Sequence, residues 1–208
     1  MNSPNNQMPL LSAYSARGLL VESVRATWLY GTSSEHNIFY QYNFNKARNI
    51  YTTMIQTESP YFQPTPAPPE PFKYALGAGD FEDSDPDYTC KKDDEFSGCD
   101  QSWAVIMKNS TNIHIGGAGT YSWYSTYKQD CISQHSCQTA LWLLENNYEK
   151  VYVDHLIGIG AKYLIADGGR GILAKDNLAV ESHPRWAQIS IYEAGSLGKA
   201  PGANETDN

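Results

Sequence analysis

Two glutamates, Glu35 and Glu58, are the residues whose types and spacing best suit a chemical reaction. They lie 23 residues apart, about one repeat of a solenoid protein, in which repeats have ~20–45 residues. Residues one repeat apart occupy neighbouring strands, about 4.8 Å from each other. Two carboxyl groups so placed suit hydrolysis of a glycosidic bond, because one protonates the leaving oxygen while the other positions or activates water. The alternative is two solvated surface acids, since 23 acidic residues offer many such pairs.

The sequence lacks the motifs of other catalytic or cofactor-binding sites. His36 follows Glu35 directly and is an acid/base group, a hydrogen-bonding partner in a site, or a structural histidine. The other histidines form no zinc motif. The glycine-rich stretches 116–119 and 168–171 lack the Lys-Ser/Thr pair of a phosphate-binding loop, so both are predicted to be turns. No G-x-S-x-G motif is present. We therefore expect no metal ion and no cofactor.

The charge balance narrows the range of partners. The chain carries 15 Lys+Arg against 23 Asp+Glu, a formal net charge of -8, which disfavours binding to nucleic acid, anionic lipid or acidic polysaccharide. Its 15 Tyr and 5 Trp residues suit a neutral, hydroxyl-rich ligand, although such rings are also common in protein cores. No run approaches the ~20 apolar residues of a membrane span, so no membrane association is expected.

A strand–corner–strand unit occurs three times in the sequence. The copies begin at Tyr40, Trp103 and Leu141, and in each the second strand opens nine residues later. Such a unit cannot bury its apolar face alone and must stack on copies of itself. The many short strands, the lack of helical periodicity and the Asn-rich corners predict an all-β parallel solenoid over residues 14–194. A β-sandwich is the alternative, because it contains similar short strands.

The segments outside these strands are predicted to be irregular. Six prolines between residues 60 and 71 exclude a central strand there. The acidic stretch 77–100 is predicted to be a solvated loop rather than a calcium site. Residues 59–100 therefore form a Pro-rich and acidic loop within the β domain. Residues 1–13 are predicted to be a disordered N-terminus, and residues 195–208 a flexible tail.

Four cysteines and two glycosylation sequons indicate an exported protein. The cysteines form two close pairs without zinc-site spacing, Cys90 with Cys99 and Cys131 with Cys137. Three connectivities are possible, and pairing within each cluster is favoured because it closes the shortest loops. Sequons begin at Asn109 and Asn204. The first residues lack the basic and apolar regions of a signal peptide, so the leader of an exported protein is expected to be missing from this chain.

Several ordered motifs resemble glycoside hydrolase family 55, the exo-β-1,3-glucanase family of fungi and bacteria. They are residues 16–23 (ARGLLVES), 28–37 (WLYGTSSEHN), 40–42 (YQY), 55–64 (IQTESPYFQP) and 117–122 (GAGTYS). The spacing of Cys131 and Cys137 is also similar. The resemblance implies two tandem right-handed parallel β-helices of the pectate-lyase-like type, with the active site in the cleft between them. It implies inverting hydrolysis of laminarin-type β-1,3-glucan from the non-reducing end.

The resemblance also assigns roles to individual residues. Glu58, in the Gln-Thr-Glu motif that begins at Gln56, would be the general acid, and Glu35 would belong to the network that holds the attacking water. Tyr61 would line the sugar subsite, to which Gln56 and His36 are also assigned. Tyr121 and Trp123 follow a glycine-rich turn, and they either stack on sugar rings or cap the solenoid.

The resemblance covers only the C-terminal β-helix of that family. The N-terminal β-helix, which would contribute one wall of the cleft, is expected to be absent, so the chain is predicted to be a truncated C-terminal half of a secreted enzyme. A second hypothesis is a non-catalytic β-glucan-binding or structural β-helix. A third, a pectin-degrading lyase, is disfavoured by the net charge and has only the acidic loop in its favour.

Overall fold

The structure is a computed structural model that describes residues 13–76, 84–89, 91–147 and 149–198 of the chain. Its strands are β1 Ser15–Val21, β2 Thr27–Tyr30, β3 Ser33–Glu35, β4 Asn37–Asn45, β5 Arg48–Glu58, β6 Trp103–Lys108, β7 Thr111–Tyr121, β8 Gln138–Glu145, β9 Val151–Ile159, β10 Ala161–Asp167, β11 Arg170–Leu173, β12 Leu178–Ala179 and β13 His183–Glu193. One short α-helical turn, α1 Lys73–Leu76, and two 3-10 turns, Ile132–Gln134 and Ala174–Asn177, complete the regular elements of these residues. None of the described helices is long and apolar enough to cross a membrane.

The strands form two sheets between which the chain alternates. The first sheet has the order β1-β4-β6-β8-β10-β11, and the second has the order β12-β13-β9-β7-β5-β2, with β3 also beside β5. From β1 to β10 the neighbouring strands within each sheet are parallel. The last strands, β11, β12 and β13, pair antiparallel with their neighbours. The prediction of an all-β chain with parallel sheets is therefore confirmed.

The three predicted repeat units stack on one another, with one adjustment. Tyr40 of the first unit lies opposite Trp103 of the second, as the sequence pattern predicts. In the third unit, however, Trp142 rather than Leu143 lies opposite Val105. The second strands are in the predicted register, with Ile113 opposite Val151. The third corner therefore contains one residue more than the other two, an insertion that the strand pattern alone does not reveal.

The corners are rich in Asn because the backbone there turns through the left-handed region. Asn109, Asn112 and Asn146 have φ values of 52°, 52° and 50°, which Asn tolerates better than most residues. The Asn112 side chain also donates a 2.7 Å hydrogen bond to the Asn49 side chain on the next strand. The Asn-rich corners thus combine the required backbone geometry with side-chain contacts between neighbouring units.

The main core lies between the two sheets. The inward-facing residues of β5, β7 and β9 include Ile50, Ile113 and Val151, which face the first sheet's Tyr42, Val105 and Trp142 in one apolar cluster. All of these side chains are at most 2% exposed. Truncating a core side chain such as Val105 would leave a cavity between the two sheets, because side chains of both sheets pack in this single core.

The described residues of the loop over residues 59–100 pack on the outer face of the first sheet. Every residue of β4 is buried on both faces, because Phe72 and Tyr88 pack against Phe39 from outside. Arg17 donates a 2.7 Å hydrogen bond from Nε to Asp85, whose side chain is only 5% exposed. The prediction of a solvated acidic loop over residues 77–100 is therefore wrong at Ser84 and Pro86, which are buried, whereas Asp87, Thr89 and residues 91–95 are exposed. Residues 77–83 and 90 lie outside the described part.

The disulfide prediction is confirmed for one pair. Cys131 and Cys137 are bonded to each other, whereas Cys90, the predicted partner of Cys99, lies outside the described residues and Cys99 has no free thiol. Asn109 occupies the corner between β6 and β7 and is half-buried, while Asn204 lies outside the described residues. So do residues 1–12 and 199–208, which contain most of the two predicted flexible ends.

Candidate functional site

Glu35 and Glu58 lie side by side at the ends of β3 and β5. They are directly opposite each other in a parallel strand pair, and their nearest carboxylate oxygens are within 4.8 Å. Glu35 is exposed, and the side chain of Glu58 is 18% exposed. The two carboxyl groups therefore share one face of the second sheet and are open to solvent.

A bulge across three strands turns Glu58 toward solvent. Ile50 and Thr52 of β5 point into the core, and strict alternation would also point residue 58 inward. Met54 has a φ of 54°, and its neighbours in register, Gly117 of β7 and His155 of β9, have φ values of 95° and 52°. After this bulge the buried residues of β5 are Ile55 and Thr57. One stacked irregularity thus brings Glu58 to the outer face.

Three side chains fix the carboxylate of Glu58. The Tyr61 hydroxyl donates a 2.7 Å hydrogen bond to Oε2, and Trp123 Nε1 donates one of 3.1 Å to Oε1. His36 Nε2 lies 3.3 Å from Oε2. The backbone N–H of His36 also donates to the carbonyl of Glu58 at 2.9 Å, which holds the turn after β3 against the end of β5. Each carboxylate oxygen therefore has a fixed donor and a defined direction.

A second pair of donors holds Glu35. Gln56 Nε2 donates a 2.9 Å hydrogen bond to Oε1, and the Ser33 hydroxyl donates one of 3.0 Å to the same oxygen. Gln56 lies opposite Ser33 in the register of β3 and β5, so both donors come from the same pair of positions. Among the described ion pairs, none brings a Lys or an Arg to either carboxylate.

A buried amide network fixes the turn that carries Tyr61. The Ser59 hydroxyl donates to Gln138 Oε1 at 2.8 Å, and Gln63 Nε2 donates to the same oxygen at 3.1 Å. Gln63 and Gln138 are 1% and 6% exposed. Because these hydrogen bonds are made away from water, the turn between them has one well-defined conformation, and Tyr61 reaches back to Glu58 from it.

The two tyrosines beside Glu58 stay protonated at neutral pH. Burial, followed by the hydrogen bond to Glu58, raises the pKa of Tyr61 well above its usual value. Burial and then the negative charge of Glu58 raise the pKa of Tyr121. Tyr61 therefore remains a hydrogen-bond donor to Glu58 across the pH range in which a carboxyl group exchanges its proton.

The distance between the carboxylates bears on the reaction they could perform. Retaining glycosidases hold their two carboxyl groups ~5–5.5 Å apart, and inverting enzymes ~6.5–9.5 Å apart to leave room for water. The nearest oxygens of Glu35 and Glu58 are within 4.8 Å, so the two carboxyl groups are close enough to act on one glycosidic bond.

Glu35, His36 and Glu58 are also close enough to hold a metal ion, with one ligand atom each within 4.8 Å of the others. Their oxygens, however, already accept hydrogen bonds from Gln56, Tyr61 and other donors. Each carboxylate oxygen has two lone pairs, so a cation bound here would share these oxygens with their N–H and O–H donors.

An aromatic cluster adjoins the carboxyl pair. Tyr121 lies opposite Glu58 in the register of β5 and β7, and its ring is 5.4 Å from the ring of Trp123. Trp186 of β13 contacts both rings, at 5.4 Å and 5.6 Å between centroids. Sequence reasoning missed Trp186, because an antiparallel strand brings it to the site from the end of the chain. The alternating pattern of β13, with a Trp on its outer face, was the only signal available.

Comparison with known proteins gives relatives that are much longer than this chain. A probable glucan endo-1,3-beta-glucosidase of Arthroderma benhamiae is 36% identical over 188 residues, which are 90% of this chain and 20% of that protein. The glucan 1,3-beta-glucosidase of Cochliobolus carbonum is 31% identical over 177 residues, 82% of this chain and 21% of its own length. The chain is thus related to β-1,3-glucanases.

Two further findings qualify this relationship. The non-secreted LysM effector LysM15 of Penicillium expansum is 50% identical over 109 residues, 51% of this chain but only 7% of that protein. No protein-family model matches the chain. The chain spans about a fifth of the length of the two glucosidases, so only a part of each of those proteins corresponds to the sheets and carboxyl pair described above.

Proposed function

We propose that this chain is the acid-bearing part of a β-1,3-glucan hydrolase of glycoside hydrolase family 55, and that it folds as a right-handed parallel β-helix. The observation that carries the proposal is the adjacency of Glu35 and Glu58 on one solvent-facing sheet edge, in a chain related to β-1,3-glucanases. The alternation of parallel strands between two sheets supports the β-helix. The proposed substrate is a neutral, laminarin-type glucan, in keeping with the net charge of -8.

In this mechanism Glu58 is the general acid. Its carboxyl proton passes to the glycosidic oxygen as the bond from that oxygen to the anomeric carbon breaks. Tyr61 and Trp123 each donate to one oxygen of Glu58, which leaves a second lone pair on each oxygen for the proton. Both donors also stabilise the carboxylate that remains after transfer. Tyr61, beside the acid, would line the sugar subsite together with His36.

Glu35 would act on the water. Gln56 and Ser33 hold its Oε1, so Oε2 is the oxygen left to accept a proton from water as its oxygen bonds to the anomeric carbon. Inversion requires the water to attack the face of the sugar ring opposite the leaving oxygen. A further wall of the cleft, supplied by an N-terminal β-helix in a longer protein, would help to hold the water and would restrict cleavage to the non-reducing end.

The test is the release of glucose from laminarin. Replacing the acid in Glu58→Gln should lower kcat by about 10²–10⁴-fold, the usual contribution of a general acid, while the matched surface variant Glu149→Gln should keep the parent rate. Both variants are made in the 208-residue chain and in a form extended at the N-terminus, since the chain spans only about a fifth of the length of the two glucosidases. Equal rates for Glu58→Gln and the parent in the extended form would disprove the role of Glu58.

A second candidate function is glucan binding without hydrolysis. The relative named a LysM effector, 50% identical over 109 residues, favours it, because that name is not one of a hydrolase. This function predicts that the chain is retained on insoluble β-1,3-glucan while releasing no glucose even in the extended form. The disulfide between Cys131 and Cys137 fits an extracellular location for either function, with Asn109 as a candidate glycosylation site.

A further inference from the structure

A line of residues leads from the carboxyl pair across the second sheet to Trp186. Glu58 lies opposite Tyr121, Tyr121 opposite Ile159, and Ile159 opposite Trp186. These three strand spacings amount to about 14 Å at ~4.8 Å each. Trp186 therefore stands on the same outer face as Glu58, at a distance that a short oligosaccharide can span.

A cavity of about 190 Å³ lies at the Trp186 end of this line. Its lining residues are Ile157, Ala179, Ser182, His183, Trp186 and Gln188. Ile157 is 40% exposed, which is unusual for an isoleucine in the middle of a strand and leaves an apolar surface facing the cavity. The lining contains no Asp, Glu, Lys or Arg. The cavity is smaller than the ~300–1,000 Å³ of typical ligand pockets, so it suits one ring of a larger neutral molecule.

The surrounding aromatic rings fix the orientation of Trp186. Tyr121 and Trp123 contact it nearly edge-on, at interplanar angles of 73° and 74°, and His183 contacts it at 6.1 Å between ring centroids. Ile159 and the disulfide residue Cys137 belong to the same packed cluster. Since Trp123 also donates to Glu58, the position of the indole is coupled directly to that of the carboxyl pair.

Gly119 leaves space for a side chain on the outer face of β7, between the carboxyl pair and the Trp186 cavity. It lies between Gln56 and Ile157 in register. A Cβ atom on Gly119 would come within 2.2 Å of the Tyr121 hydroxyl, so only glycine lets the Tyr121 ring fold back over β7. The ring thereby covers the strand instead of rising from it. The carboxyl pair and the Trp186 cavity therefore lie at the two ends of one strip of the outer face, here called the groove, with the Tyr121 and Trp123 rings between them.

We propose that the Trp186 cavity is a distal sugar subsite, which binds a glucosyl ring of the same glucan chain about three strands away from the bond beside Glu58. The apolar face of a sugar stacks on an indole, while its hydroxyl groups can bond with Gln188, Ser182 and His183 at the rim. This inference rests on the proposed function, because it names a further part of the same binding groove. It predicts that the protein binds longer oligosaccharides more tightly than shorter ones, and that contact with Trp186 provides the additional affinity.

The test measures affinity against oligosaccharide length by calorimetry. Laminaribiose and laminaripentaose are titrated into the 208-residue Glu58→Gln chain, which does not consume them. The affinity for the pentaose should exceed that for the biose by about tenfold, a difference of roughly 1.4 kcal/mol. Adding Trp186→Ala should remove most of this gain and lower the pentaose affinity far more than the biose affinity, whereas Trp186→Tyr should restore part of the gain.

Trp28→Ala is the matched control, because Trp28 is a 60% exposed tryptophan on the same sheet outside the groove. It should leave both affinities unchanged. An unaltered pentaose gain in Trp186→Ala would overturn the subsite alone, as would an equal loss for both sugars, which indicates a structural role. If the Glu58→Gln chain binds neither sugar, the subsite is wrong, and the proposed function is then decided separately by glucose release from the extended form.

Discussion

At the scale of single residues, the site is a set of donors arranged around two acids. Each oxygen of Glu58 has its own donor, Tyr61 or Trp123, and Glu35 has Gln56 and Ser33. Such fixed donors hold a carboxyl group in one rotamer, so its proton is aimed before a substrate arrives. The phenol of Tyr61 can donate a hydrogen bond to Glu58 only while the phenol is protonated.

The protonation of Tyr61 gives a prediction for stability at high pH. The folded state raises its pKa above the ~10 of an unfolded chain, so above pH ~10 the unfolded chain releases this proton first. The free energy of unfolding should therefore be unaffected below pH ~10 and fall as the pH rises beyond it.

Urea denaturation at pH 9 and pH 11 measures this effect. Tyr61→Phe should lose less stability between the two pH values than the parent. The control Tyr74→Phe changes a tyrosine that is 88% exposed and should lose as much as the parent. An identical loss in the parent and in Tyr61→Phe would contradict the protonation assigned to Tyr61.

At the scale of elements, the bulge at Met54, Gly117 and His155 decides what the second sheet presents to solvent. The three positions are in register on β5, β7 and β9, and all have positive φ values. Without this bulge the alternation of β5 would bury Glu58. A left-handed backbone costs roughly 1 kcal/mol at a residue with a Cβ, so Met54 and His155 each lower the stability of the fold by about this amount, whereas Gly117 does not.

This cost predicts a stabilising substitution. Met54 has a φ of 54° and is 69% exposed, so Met54→Gly relieves the backbone without emptying the core. The free energy of unfolding in urea should rise by roughly 0.5 kcal/mol, because the left-handed cost of roughly 1–2 kcal/mol exceeds the roughly 0.5–1 kcal/mol entropic cost of glycine. Thr53→Gly, one residue earlier at an ordinary φ, should instead lower it by about 1 kcal/mol. Equal destabilisation by the two variants would show that the bulge carries no strain at Met54.

At the scale of the whole molecule, the two sheets have different outer surfaces. The described residues of the Pro-rich and acidic loop pack on the outer side of the first sheet, while the main core buries the inner side of β4. The second sheet keeps exposed rings, such as Trp28 and Tyr30 at 60% and 64%, and carries the carboxyl pair. The net charge of -8 surrounds this open face with a negative field, which repels anions and leaves neutral ligands unaffected.

The charge predicts discrimination between glucans. At low salt, laminarin should bind at least about tenfold more tightly than its carboxymethylated derivative, because like charges repel. At ~1 M salt, where the Debye length is ~3 Å, the two affinities should converge, whereas the affinity for laminarin should stay constant. Affinity electrophoresis at several salt concentrations measures both. A salt-dependent affinity for laminarin itself would contradict binding of a neutral ligand at this face.

Much of the fold and of the carboxyl pair could be predicted, because both depend on a regular repeat. The spacing of 23 residues between Glu35 and Glu58 fits one coil of chain, and the two residues are indeed neighbours. The prediction failed where regularity ends. The extra residue in the third corner shifts Val105 to face Trp142, and the loop at Asp85 and Tyr88 packs on the sheet rather than lying in water.

The sequence by itself determined the strand-rich fold, the Asn-rich corners and the adjacency of the two glutamates, because local residue preferences and a fixed repeat length govern all three. Only the tertiary structure decided which face Glu58 occupies, since that depends on a bulge formed by three strands together. It also decided that Trp186 joins the groove, because the antiparallel return of β13 brings the end of the chain beside β9. Contacts between residues far apart in sequence have no local signature, so they can be seen only when the chain is folded.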